Sequence, residues 1–241
     1  SNYQTVAAFL ATEISPAFRA KVVMPNLMKA FNFQNKSDSI KLVKAGTVTA
    51  TTATESTDHS TSEYTETSPN TLTAAEVKVY IEVSDKAINF GGADVNTLVQ
   101  ECAAAISDKF DSDALALADA LNGGTVVEST GVDATPGNLV EAAYIVRANN
   151  VPGPLAYVLH PAQERDVKDD IVASSASVWT NPVMLGVLGG QQPADNGFRG
   201  LFFDVPVYVS TNTESLNTNA DWGGVCLDVQ QALAYGVAGD I

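Results

Sequence analysis

Residues that do chemistry are scarce in this chain. Its 241 residues include two histidines and two cysteines. His59 and His160 stand at no metal-ligand spacing from each other or from a cysteine, so no zinc-type set is present. Cys102 lies on an apolar helical face and Cys226 in an apolar strand. Both read as buried free thiols, and no disulfide framework is implied. Basic residues are also few: 13 Lys and Arg face 28 Asp and Glu, a net charge of −15. Such a surface repels phosphate backbones on average, which argues against tight nucleic-acid binding. The densest basic group, Lys36, Lys41 and Lys44, sits among acidic and polar neighbours. The longest apolar runs, such as LFFDVPVYV from Leu201 to Val209, are too short and too interrupted to span a bilayer, so no membrane partner is expected.

Catalytic signatures are missing too. There is no GxSxG elbow and no Walker A loop. Gly189-Gly190 lacks the following Lys-Ser/Thr of a phosphate cradle and reads as a loop. Asp111, Asp113 and Asp119 lack the glycine and final glutamate of a calcium loop, and read as the solvated face of a helix. Glu164, Asp166, Asp169 and Asp170 share a helix with Arg165 and Lys168, as ordinary surface charge does. His160, at the end of a strand before Pro161, fits a surface or capping role. No catalytic residue, cofactor site or metal site is expected, and the chain does not read as an enzyme.

What the sequence does contain is threonine. The tract TVTATTATESTDHSTSEYTETSPNTLT, Thr47 to Thr73, is more than half serine and threonine, with one proline and no glycine. Threonine is β-branched and favours extended backbone, and without glycine the tract is a poor flexible linker. Strand-like arms flank it. Ile40, Leu42 and Val43 precede it, and Val48 continues them into its start. Val77, Val79, Ile81 and Val83 follow, alternating with Lys78, Tyr80, Glu82 and Ser84, the clearest period of two in the chain. Lys41 to Ser84 therefore reads as one long β-hairpin arm, with the polar stretch Glu55 to Pro69 at its tip. A two-stranded hairpin is marginal alone in water, so this one needs another surface, a neighbouring subunit above all, to order it.

Elsewhere the pattern is helical and mixed. Ser15-Pro16 is a helix start, Pro25 interrupts that helix, and Leu27, Met28 and Phe31 continue at helical spacing. Asp94 caps a helix expected to run to Asn122, with Val95, Leu98, Val99, Cys102, Ile106, Phe110, Leu117 and Leu121 as its stripe and Gly123-Gly124 as its stop. At ~1.5 Å per residue that is a spine of roughly 40 Å. Further on, Pro136 to Asn150 reads as a helix, Leu155 to Leu159 as a buried strand, and Pro161 to Val172 as a second helix. Gly186 to Gly197 reads as a Gly-, Gln- and Asn-rich loop. Leu201 to Phe203 and Val205 to Ser210 read as a hairpin or bent strand pair, and Gly224 to Leu227 as a strand. The fold class is α+β.

Taken in order, these parts resemble the tailed-phage major capsid proteins of the HK97-like fold. EISPAFRAKVVMPNLMKAFNF resembles the segment leading into that family's extended loop, and Lys41 to Ser84 the loop itself. DVNTLVQECAAAISDKFDSDALALADALNGG resembles the spine helix of the peripheral domain. GNLVEAAYIVRANNVPGPLAYVLHPAQERDV resembles the axial-domain helix–strand–helix. FRGLFFDVPVYVSTNT and GGVCLDVQQALAYGV resemble later strands.

The resemblance implies an N-terminal arm and helix over 1–38, an extended hairpin over 39–90 and a spine helix over 91–123. An axial domain over 124–222 and a return strand over 223–241 would follow. It implies a shell of pentamers and hexamers, icosahedral and self-assembling, around double-stranded DNA. Localisation would be the virion, after assembly in the host cytoplasm. Partners would be further copies of the chain, with scaffold, portal and decoration proteins, and DNA touched only non-specifically. Val48, Tyr64, Val77, Val79, Ile81 and Val83 would make the inter-subunit contact. Gly189, Gly190, Gln191 and Gln192 would line the capsomer axis. Some relatives cross-link subunits through a loop lysine; residues 47–73 hold none, so no such link is expected. Two rival readings are an encapsulin-like compartment on the same fold and an extracellular or tail-associated structural protein with an exposed threonine-rich stalk.

Overall fold

The computed structural model describes residues 22–32, 39–44, 67–82, 95–118, 121, 126–127, 131–151, 153–174, 197–213, 215–216 and 221–237. The chain divides into two compact units. One comprises Ser1–Ala30, Val77–Ala234 and Ile241; the other comprises Phe31–Glu76 and Tyr235–Asp240.

The heart of the first unit is a four-stranded sheet. Its strands are β4 (Leu155–Leu159), β5 (Phe198–Phe202), β6 (Val205–Val209) and β9 (Val225–Asp228), in the order β5-β6-β4-β9. β4 runs parallel to β6 and antiparallel to β9. Every residue of β4 is buried, as expected for a central strand covered on both faces. β5 and β6 form the expected hairpin. Its two-residue turn places Phe203 and Asp204 at φ 45° and 67°, the handedness that matches strand twist.

Two helices flank this sheet, α2 (Pro136–Ala148) and α3 (Pro161–Ser174). Both begin where the sequence places a proline at the first helical position. Thr135 caps α2, its hydroxyl accepting from the Asn138 N–H at 3.3 Å. Leu139 and Val167 from the helices join Leu155, Tyr157, Leu159, Phe202, Val205 and Val207 from the sheet in one apolar cluster. Tyr157 is fully buried there and donates its hydroxyl to the Leu139 carbonyl at 2.6 Å. Cys226 packs beside the cluster, and burial pushes its thiol up to about 12. Both cysteines are free.

Backbone contacts fix the ends of the central strands. The Gly153 N–H donates to Asp228 Oδ2 at 3.1 Å, and Val229 N–H to the Pro154 carbonyl at 2.8 Å. A Cβ on residue 153 would lie 2.2 Å from both Asp228 oxygens, so this approach requires glycine.

The helix expected from Asp94 to Asn122 is present over a shorter α-helical span. α1 spans Val95–Ala116, followed by a tighter turn at residues 117–118, and Leu117 is exposed. Its buried face carries Val99, Cys102, Ala103, Ala114 and Leu115, and also Ser107 and Asp111. The Ser107 hydroxyl is satisfied by the Ala103 carbonyl, 2.6 Å away. Asp111 departs from its expected place on the solvated face. Its carboxylate accepts from the Val23 and Met24 N–H groups at 3.4 and 3.3 Å. Those are the first donors of a 3-10 turn, Met24–Asn26, which has no cap of its own, so a distant aspartate supplies it. Burial pushes the Asp111 carboxyl above its usual range, with Asp108 adding to the rise and the two amide bonds opposing it.

The expected helix through Phe31 is not formed. After the 3-10 turn the chain becomes β1 (Lys29–Asn32), paired with β10 (Ala234–Val237). Pro25 has no N–H to continue a helix. The neighbouring donors go elsewhere: Lys29 N–H to the Leu233 carbonyl, while the Leu27 carbonyl takes Gln230 N–H at 2.7 Å. Two short strands, β7 (Ser215–Leu216) and β8 (Asp221–Trp222), form a separate pair.

The second unit holds the hairpin. β2 (Ser39–Lys44) pairs antiparallel with β3 (Thr67–Thr73), from Ser39 opposite Thr73 to Lys44 opposite Thr67. The strand partner is therefore the end of the threonine tract, and Val77, Val79 and Ile81 are not in the opposing strand. Between Leu42 and Lys44 the register shifts, because β3 spends one residue more than β2. That bulge contains Pro69, which can sit inside a strand only where a ladder bond is not required.

Candidate functional site

From Ala74 to Glu82 the chain continues outside any strand, and every residue of it is exposed. This stretch holds the strongest alternation in the sequence. Val77, Val79 and Ile81 keep 53%, 38% and 45% of their surface, and Tyr80 keeps 85%. Four large apolar residues stand exposed within five positions, an apolar stretch of a kind that marks an interaction surface.

Of the residues expected at the inter-subunit contact, Val77, Val79 and Ile81 lie in this stretch. Val48, Tyr64 and Val83 fall outside the described residues, as do Gly189, Gly190, Gln191 and Gln192 of the expected axis loop. The sequence pattern did not single out Phe203. It is 65% exposed at the tip of the β5–β6 hairpin, edge-on to Phe202 with ring centroids 4.8 Å apart. A bulky residue at positive φ is unusual, and the length of the hairpin connection is the signal that could have found it.

Among the described residues, ionisable groups of α3 and α1 form ion pairs and no reactive constellation. Lys168 pairs with Glu164 at 2.6 Å and Arg165 with Asp166 at 2.7 Å along α3, while Lys109 pairs with Asp113 on α1 at 2.5 Å. These are surface pairs of modest energy. Among the described residues no group of three or more His, Cys, Asp or Glu could hold a metal ion, and no helix is long and apolar enough to cross a membrane.

Known structures place this arrangement. One match is the virus-like particle from Pyrococcus furiosus, at TM-score 0.53 and 10% identity, over 85% of this chain and 73% of that one. Another is the capsid of cyanophage P-SCSP1u, at TM-score 0.55 and 14% identity, over 87% and 73%. A chain of Mycobacterium phage Che8 matches at TM-score 0.56 and 15% identity, over 82% and 72%. The chain has the HK97-like fold. The SrpI encapsulin of Synechococcus elongatus shares it too, at TM-score 0.54 and 11% identity, over 80% of this chain and 61% of that one. No family model matches the chain, and no curated protein matches it by sequence. The HK97-like likeness is therefore one of architecture and not of sequence.

Proposed function

We propose that the chain is the repeating subunit of a closed protein shell, a major capsid protein in which copies assemble as pentamers and hexamers of an icosahedral lattice. The observation that carries this reading is the exposed apolar stretch Val77, Val79, Tyr80 and Ile81, borne on a fold shared with solved shell particles. The stretch follows directly on the β2–β3 hairpin in sequence and gives a neighbouring copy alternate apolar side chains to bury. The shell encloses double-stranded DNA without gripping it, since a chain of net charge −15 presents a wall that repels phosphate. Scaffold, portal and decoration proteins are the further partners, and the assembled protein resides in the virion.

The match to an encapsulin complex is about as strong as those to phage chains, which supports a second reading, a compartment loaded with protein cargo. Electron microscopy and sedimentation of the purified protein test both. Closed particles, or rings of five and six, are expected. Nuclease-protected DNA inside marks a capsid and a co-purifying enzyme marks a compartment. A monomer that resists assembly across salt and crowding conditions refutes the shell reading.

A further inference from the structure

The start of α3 is built around a histidine where most helices use serine, threonine or aspartate. His160 is the N-cap, followed by Pro161. Its Nδ1 accepts the Ala162 N–H at 3.1 Å, and its carbonyl accepts the Glu164 N–H at 3.0 Å. Gln163 reaches back so that its Oε1 accepts the His160 N–H at 3.2 Å. The pattern is a reciprocal capping box with imidazole in the hydroxyl's place. The other end of the Gln163 amide donates from Nε2 to the Trp222 carbonyl at 2.8 Å. The Trp222 indole stacks on the His160 ring, with centroids 3.8 Å apart and planes 5° from parallel. Helix start and β8 are thus held together by one ring stack and one amide. Gly224 leaves room for that amide, since a Cβ there would lie 2.6 Å from Gln163 Oε1.

This arrangement works only for a neutral ring with the proton on Nε2. Nδ1 must be bare to accept. A proton added to Nδ1 turns the cap from acceptor to donor, facing the Ala162 N–H, at the helix end where the backbone dipole already disfavours positive charge. We propose that His160 is an acid-released latch: protonation of Nδ1 uncaps α3, unstacks Trp222 and frees β8 from the helix start. The surrounding charges do not counter this. On α3, Glu164 is engaged by Lys168 and lies 3.7 Å from Arg199, and Arg165 is taken by Asp166. β8 carries Asp221; β4 carries Tyr157, bonded to Leu139; β9 carries Cys226 and Asp228, the latter bonded to Gly153. Burial is the one resolved influence on the imidazole, and it lowers its affinity for a proton below the usual 6.5. With the folded value depressed, the latch is fully closed above pH 6.5 and opens as pH falls through the lowered value.

The chain has two tryptophans, so Trp179→Phe leaves Trp222 as the reporter. Its emission, followed from about pH 7.5 to 5, should change with a single-proton midpoint below 6.5. That transition should be lost in His160→Ser, which caps without titrating, and in His160→Asp, which caps and is already charged across the window. Far-UV circular dichroism at pH 7.5 checks that each variant is folded. Should Trp179→Phe not fold, the same comparison is made with both tryptophans present, as wild type against His160→Asp. An emission that stays flat in the parent, or a transition that survives unchanged in both His160 variants, overturns the proposal.

Discussion

If Val77, Val79 and Ile81 form the subunit contact, removing their apolar surface should cost assembly without costing the fold. Each keeps roughly half of its surface exposed within the chain. Fully burying such a side chain contributes about 1.5–3 kcal/mol, so the half that remains is worth about 1 kcal/mol per residue. The triple variant Val77→Ser, Val79→Ser, Ile81→Ser therefore weakens each contact by about 3 kcal/mol, on the order of 100-fold in the association constant. The effect is multiplied in a closed shell, where every subunit makes the contact. Sedimentation velocity at matched concentrations reads the loss as a shift from particles to free subunits. Urea unfolding of the free subunits should change by less than ~0.5 kcal/mol, because substitutions at exposed sites away from caps and cores rarely do more. A triple variant that assembles at the wild-type concentration would refute the assignment of this stretch. One that fails to fold would show that the side chains belong to the subunit's own core.

Further outcomes follow from the packing. Asp111→Ala leaves the Val23 and Met24 N–H groups buried without an acceptor, and should destabilise by about 2 kcal/mol in urea unfolding. Because burial raises the Asp111 carboxyl, its favourable contribution is complete below the unfolded value of 3.8. It is lost as pH rises through the folded one, a slope that Asp111→Asn should flatten in unfolding measured from about pH 3 to 6. Gly224→Ala should cost about 1–2 kcal/mol by displacing the Gln163 amide, and less in a Gln163→Ala background; additive effects would show that the clash lies elsewhere. Tyr157→Phe should cost about 1 kcal/mol by removing the hydroxyl's hydrogen bond to the Leu139 carbonyl. Cys102 and Cys226 should resist a thiol reagent until the protein is unfolded, and then both react.

Much of the first unit was legible because its signals are local. Pro136 and Pro161 mark helix starts, the run from Leu155 to Leu159 marks a doubly covered strand, and the alternation from Val205 to Val209 marks one face of a sheet. The first strand of the hairpin was legible and its partner strand was not. Val77 to Val83 alternate better than Thr67 to Thr73, yet β2 pairs with the latter despite Pro69, because a bulge absorbs the proline. Alternation reports extended backbone, not the identity of the partner, and here it marked side chains held out from the chain's own core. Asp111 was illegible for another reason. Nothing near it in sequence says that amide groups 87 and 88 residues away would reach its carboxylate. The helix expected through Phe31 failed in the same way, since strand pairing with residues near the other end of the sequence decided the outcome. The pattern singled out Val77, Val79 and Ile81, which are exposed, and did not single out the exposed Phe203.

Pro69 also bears on how such a protein stays soluble. A two-stranded hairpin has two open edges, and each is a template for a further strand. One made largely of threonine has the β-propensity to accept one. In the bulge of β3 the chain lacks one backbone donor and carries a local bend. A strand approaching that edge meets a bulged, irregular ladder. Fibrous addition, which needs an unbroken repeat of donors and acceptors, is thereby disfavoured, while contacts through apolar side chains beyond Thr73 remain open. For a subunit of the proposed shell, that difference would separate ordered association from precipitation.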